Sequence, residues 1–211
     1  MIPEKKKNFE RELPEGYRQG AYVNAKDAKL GIIFNLIALA VCIAVMGVAL
    51  ISLALTGRLS IDIISIGASE FFVAYFVFIL LMLGYIVLHE IVHGIAYKAL
   101  TGEKLTFGIS WSCAFCGVPH IFTYKKTAVI STASPLTLFT LIFIPLLAVL
   151  YFVSPLYYLI FSFVFGLRLG GCSGDIYILY LLLARFKGKE LLMRDTGPEQ
   201  FIYLPIEKEK V

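Results

Sequence analysis

Charge is scarce in this chain. Between 127 and 167 there is no Asp, Glu, Lys or Arg, and charged residues make up only 16% of the 211 while hydrophobic ones make up 59%. With a mean hydropathy of +0.81, that shortage excludes an ordinary soluble domain and points to an integral membrane protein. Cysteine is also sparse. Cys42 and Cys172 fall within apolar stretches, where a thiol behaves as a small hydrophobe, so nothing resembles an extracellular disulfide framework. Cys113 and Cys116 form a lone C-x-x-C; a zinc knuckle needs a second pair, and only His120 lies nearby. The net charge of +4 is modest and its basic residues gather near span edges, which excludes a nucleic-acid surface and leaves the lipid bilayer as partner. No internal repeat and no low-complexity run occurs. The first apolar run, from about 30 to 56, is too long for a signal h-region.

What is present divides the chain into a polar arm (1–29), a membrane region (30–186) and a polar tail (187–211). The first span covers about 30–55 and the second about 67–98. Leu105, Phe107, Ile109 and Trp111 alternate with Thr106, Gly108, Ser110 and Ser112, a period-two pattern that predicts a strand. Gly117-Val118-Pro119 breaks it, and 120–124 is expected to be the return strand of a hairpin within 101–126. The charge-free stretch from 127 holds two spans, with Ser154-Pro155 at the turn between them. The later span is interrupted by Arg168 and by Gly170-Gly171-Cys172-Ser173-Gly174, then resumes over 176–184. The expected fold class is an all-α membrane protein of about four transmembrane helices, with a small cytoplasmic β-hairpin between helices two and three. Seven Lys and Arg in the arm, one in the first loop, four bracketing the strand region and six from Arg185 to the end place both termini in the cytoplasm, in a multi-pass protein of the cell membrane.

Inside the second span stands His89-Glu90-Ile91-Val92-His93. Positions i and i+4 share one helix face, so both imidazoles can reach one metal ion, and Glu90 can hold the attacking water as general base. Ionisable groups at membrane depth are costly, which makes them a functional-site hypothesis by default. A catalytic zinc usually takes three protein ligands. Asp175 is the third candidate: His89 lies roughly 13 Å below the edge at Lys98, and Asp175 roughly 15 Å below Arg185, at 1.5 Å per residue. Two other roles stay open for Asp175, a pair with Arg168 or a cap of the resumed half-helix. Glu70, far back along the second span, is expected to snorkel or to pair with Arg168.

These residues resemble an intramembrane zinc metalloprotease of the site-two type. More closely they resemble the bacterial and archaeal membrane family called putative zincin peptidase, a domain of unknown function. The resemblance runs through Leu13-Pro14-Glu15-Gly16-Tyr17, the segment from His89 to His93, Ala133-Ser134-Pro135-Leu136, Ser173-Gly174-Asp175 and Asp195-Thr196-Gly197-Pro198. It implies zinc held by His89 and His93, with Glu90 as the catalytic carboxylate. In site-two proteases the third ligand is an Asp followed by Gly, whereas here Gly174 precedes Asp175.

The function expected is zinc-dependent hydrolysis of peptide bonds in membrane-protein or peptide substrates near the cytoplasmic face. The alternative is a non-enzymatic membrane metal-binding or transport protein. A transporter more often has a polar path across the bilayer, and spans one and three have almost none, Asn35 being the main exception in span one.

Overall fold

The computed structural model describes residues 7–59, 67–109 and 114–206. In chain order the elements are β1 (Phe9–Glu10), β2 (Tyr17–Asn24), α1 (Ala28–Leu55), α2 (Ala68–Thr101), β3 (Thr106–Ile109), β4 (Ala114–Gly117) and β5 (Phe122–Tyr124). There follow α3 (Lys125–Val153), α4 (Pro155–Gly171), α5 (Ser173–Tyr180) running into a π-helical turn (Leu181–Arg185), β6 (Leu192–Asp195) and β7 (Glu199–Pro205). Trp111, Cys113 and the Glu70 side chain, each assigned a place above, lie outside the described residues.

The long helices are where composition puts them. The Asp27 carboxylate accepts from the Leu30 N–H at 3.0 Å and opens α1. Ser154 caps α4 from an extended backbone, with Pro155 following as the first helical residue. The α1, α2 and α3 helices are long and apolar enough to cross a membrane, and the broken pair of α4 with α5 and its π turn makes a fourth if counted as one span.

The strands depart from expectation. The partner of β3 is β4, in the register Thr106↔Gly117 to Ile109↔Ala114. The expected return strand over 120–124 is incorrect. Phe122–Tyr124 belongs instead to a five-stranded antiparallel sheet in the order β1-β5-β6-β7-β2. The polar arm and tail thus build a sheet, with Tyr17 opposite Pro205 and Asn24 opposite Glu199. Strands with one wet face need few apolar residues, so these segments read as tails.

The chain divides into two compact units. One comprises Met1–Gly31, His89–Pro135 and Asp175–Val211; the other comprises Ile32–Leu88 and Leu136–Gly174. The core of the first joins Val23, Met193 and Ile202 of the sheet to Ala128, Ile178, Leu181 and Leu182 of the helices. Its π turn closes through the Phe186 N–H on the Leu181 carbonyl at 3.0 Å. The second unit is helical and packs through small residues. A Cβ on Gly170 would lie 2.5 Å from Ala38 Cα, and one on Gly166 would lie 3.0 Å from Cys42 Cα, so α4 and α1 meet backbone to backbone. Arg168, wholly buried between those glycines, donates from Nη2 to Thr140 Oγ1 at 2.7 Å and lies over the rings of Phe143 and Phe165.

Candidate metal centre

Every side chain that the spacing argument singled out for chemistry lies in the first unit. His89 and His93 occupy successive turns of α2, and their Nε2 atoms are 3.2 Å apart. Asp175, in the first turn of α5, faces both: its Oδ2 is 3.1 Å from His89 Nε2 and its Oδ1 is 3.4 Å from His93 Nε2. Asp175 thus lies both beside the two histidines and at the start of α5. Arg168 is engaged by Thr140 and two rings.

One tautomer is fixed by chemistry. His93 Nδ1 lies 2.8 Å from the Ser131 carbonyl of α3, and a carbonyl can only accept, so Nδ1 carries the proton. In neutral His93 the Nε2 lone pair then points at another imidazole nitrogen and a carboxylate. Such a convergence of acceptors needs a donor or a cation at its centre, either an imidazole N–H or a metal ion held by all three. Two imidazoles and a carboxylate are also a donor set that zinc takes in catalytic sites, so these residues fit that ion. Glu90, next to the first histidine and half-buried, is a short reach from the same charges.

One turn beyond His93, Tyr97 donates to Asp195 Oδ2 at 2.7 Å. Asp195 ends β6 and is buried; its Oδ1 accepts from the Gly197 N–H at 2.9 Å, and its carbonyl accepts from the Val118 N–H at 2.9 Å. Gly197 sits at φ +100°, open to glycine and strained for other residues, and a Cβ on Gly117 would come within 2.4 Å of the Gly197 nitrogen. The turn after β6 is thereby clamped to α2 and to the end of β4. Burial pushes the Asp195 carboxyl up to about 6, against the Tyr97 and Gly197 hydrogen bonds that favour its charged form.

Cys116 and His120 are not grouped with the donors His89 and Asp175. Burial pushes the Cys116 thiol up to about 12, so it stays protonated at neutral pH, and His120 is exposed in the turn before β5. Beside the histidine motif runs an open apolar groove of about 410 Å³, lined by Ile91, Gly94, Ile95, Lys98, Leu105 and Phe107 among others. A Cβ on Gly94 would meet the Phe107 ring at 2.6 Å, so the ring would have to swing aside to admit one. Spacing did not reveal Ser131 or Tyr97. The signal for Tyr97 was its place one turn past His93; Ser131 could be found only by knowing that α3 packs on α2.

A family model described as "Putative zincin peptidase" matches residues 81–189, just over half the chain. The chain belongs to that family. The matched segment contains His89, Glu90, His93, Ser131 and Asp175 and stops short of Asp195. No curated protein and no solved structure matches the chain. Membership carries the implication of a zinc peptidase.

Proposed function

We propose that this protein is a membrane-embedded zinc metalloendopeptidase of the His-Glu-x-x-His type, cleaving membrane-protein or peptide substrates near the cytoplasmic face. The observation that carries the reading is the convergence of His89, His93 and Asp175 on one point, with His93 held in the tautomer that presents Nε2. These three would hold the ion. Bound there, zinc would supply Lewis acidity to the scissile carbonyl and would make the attacking water more acidic. Glu90 takes the proton of that water on its carboxylate and returns it to the leaving amine. The edge of β3 that no described strand pairs accepts an extended peptide by strand addition, and the adjoining groove takes a bulky apolar side chain.

The membrane reading is supported by three to four apolar helices whose large side chains, such as Phe72, Phe76, Leu141 and Phe152, stand mostly exposed. Reporter fusions near Gly57 and Ser154 should be external, and fusions near Gly117 and after Val211 cytoplasmic. A cytoplasmic signal at Gly57 would invert the orientation.

The decisive experiment is Glu90→Gln. The variant keeps its zinc and loses hydrolysis by about a thousandfold or more, because Glu90 handles a proton and is not a ligand. Undiminished turnover would sink the mechanism, and zinc-free wild type would sink the metal reading.

A further inference from the structure

The helix α3 runs unbroken from Lys125 to Val153, yet it contains Pro135. Proline has no N–H, so the carbonyl four residues earlier receives no helical hydrogen bond. That carbonyl belongs to Ser131, the group that accepts from His93 Nδ1 at 2.8 Å. A carbonyl oxygen has two lone pairs. The second is taken by the Ser134 hydroxyl, which donates to the same oxygen at 2.8 Å. Both acceptor sites of Ser131 are therefore filled, one from its own helix and one from α2. Ser131 is wholly buried and Pro135 is buried too, so water does not compete for this oxygen. Any residue other than proline at 135 would bring a third donor, aimed along the helix axis at an oxygen with no lone pair left.

We infer that Pro135 is a positioning residue for the metal centre: by withholding a backbone N–H it reserves the Ser131 carbonyl for His93, fixing the imidazole so that Nε2 faces His89 and Asp175. Outer hydrogen bonds of this kind set the tautomer and orientation of a ligating histidine, and their loss typically weakens metal binding about 10- to 100-fold. The inference rests on the metal reading above for its consequence, although the tautomer stands by itself.

The test compares Pro135→Ala with Pro145→Ala, which removes the other proline of the same helix. Pro145→Ala regains a helical hydrogen bond, so its thermal stability should hold or rise, whereas in Pro135→Ala the new N–H competes with His93 and Ser134 for the Ser131 carbonyl and stability should not rise. Only Pro135→Ala should lose zinc affinity, by about tenfold or more in chelator competition. Loss of metal affinity and of the fixed His93 tautomer in a folded Pro135→Ala, with neither lost in Pro145→Ala, is an outcome that a merely structural role does not give. Ser134→Ala alone should bind within about twofold of wild type. Combined with Pro135→Ala it should recover part of the loss, because it vacates the lone pair that the new N–H needs. In the metal-free protein, nitrogen NMR should find the Nδ1–H tautomer of His93 fixed in wild type and Pro145→Ala, and mixed in Pro135→Ala. Wild-type affinity in Pro135→Ala, or no recovery in the double variant, would overturn the inference. If wild type itself took up no zinc, the metal reading would fall, and the tautomer measurement would still decide the role of Pro135.

Discussion

The two units solve the same problem of holding helices together by opposite means. The unit of Ile32–Leu88 and Leu136–Gly174 relies on close approach: Gly166 and Gly170 let α4 lie against Cys42 and Ala38, with Arg168 as a buried polar anchor. The other unit relies on directed hydrogen bonds, from Tyr97 to Asp195, from His93 to the Ser131 carbonyl, and along a five-stranded sheet. The division of the chain falls directly before His89 and Asp175 and directly after Pro135. The polar chemistry is thus gathered in the unit whose polar groups have built partners, which suits side chains that need fixed orientation.

The sharpest way to break that contrast is Asp175→Ala. It removes one of three converging acceptors and leaves the helices of the second unit untouched. Activity should fall by about a thousandfold or more, and zinc should be lost from folded protein. Zinc content decides it: full occupancy in the folded variant would return Asp175 to a helix-capping role and reopen the search among His120 and the tail acids.

A smaller effect should come from Gly170→Ala in the second unit. One added methyl would press on the Ala38 backbone, which cannot move aside as a side chain can. Overpacking of this kind costs about 1–3 kcal/mol. Gly171→Ala is the control, since a Cβ there meets nothing within 4 Å. Thermal unfolding should separate the two, with zinc per folded molecule equal in both. Equal melting temperatures would show that α1 and α4 are not held by close approach.

The same contrast explains what was legible in the sequence. The apolar helices follow from composition, because a run such as 127–153 has no alternative use for its side chains. The histidine pair follows from a spacing of four on a helix, and Asp175 from matching levels in two distant segments. The sheet did not follow, since β2 pairs with β7 across most of the chain and no local pattern encodes a partner so far away. By sequence alone the hairpin falls one segment too late, because Gly117 before Val118-Pro119 reads as a turn. It is instead the last residue of β4, a glycine because its backbone abuts Gly197. Asp195 was seen as part of a tail motif; its burial against Tyr97 needed the sheet to bring it back.

Asp195 gives the most specific test. Burial raises its carboxyl to about 6, above the ordinary value near 4, so the folded protein binds that proton more tightly than the unfolded chain does. The stability this group contributes is complete below about pH 4 and is lost as pH rises through about 6, a change on the order of 3 kcal/mol if the whole shift is expressed. Asp195→Asn cannot titrate. An amide keeps an oxygen for the Gly197 N–H, but its NH₂ meets a Tyr97 hydroxyl that must turn to accept. Wild type should therefore gain stability on acidification from pH 7 to 5 relative to Asp195→Asn, with the two curves converging in slope above about pH 7 and below about pH 4. The control is Tyr124→Phe, which breaks another tyrosine–carboxylate bond of 2.7 Å, to Glu10 in the same sheet, and leaves Asp195 in place. It should lower stability while retaining the wild-type pH dependence across that window. If Asp195→Asn and wild type instead ran parallel from pH 4 to 7, Asp195 would titrate at its ordinary value, and the clamp on α2 would be an ionised one throughout.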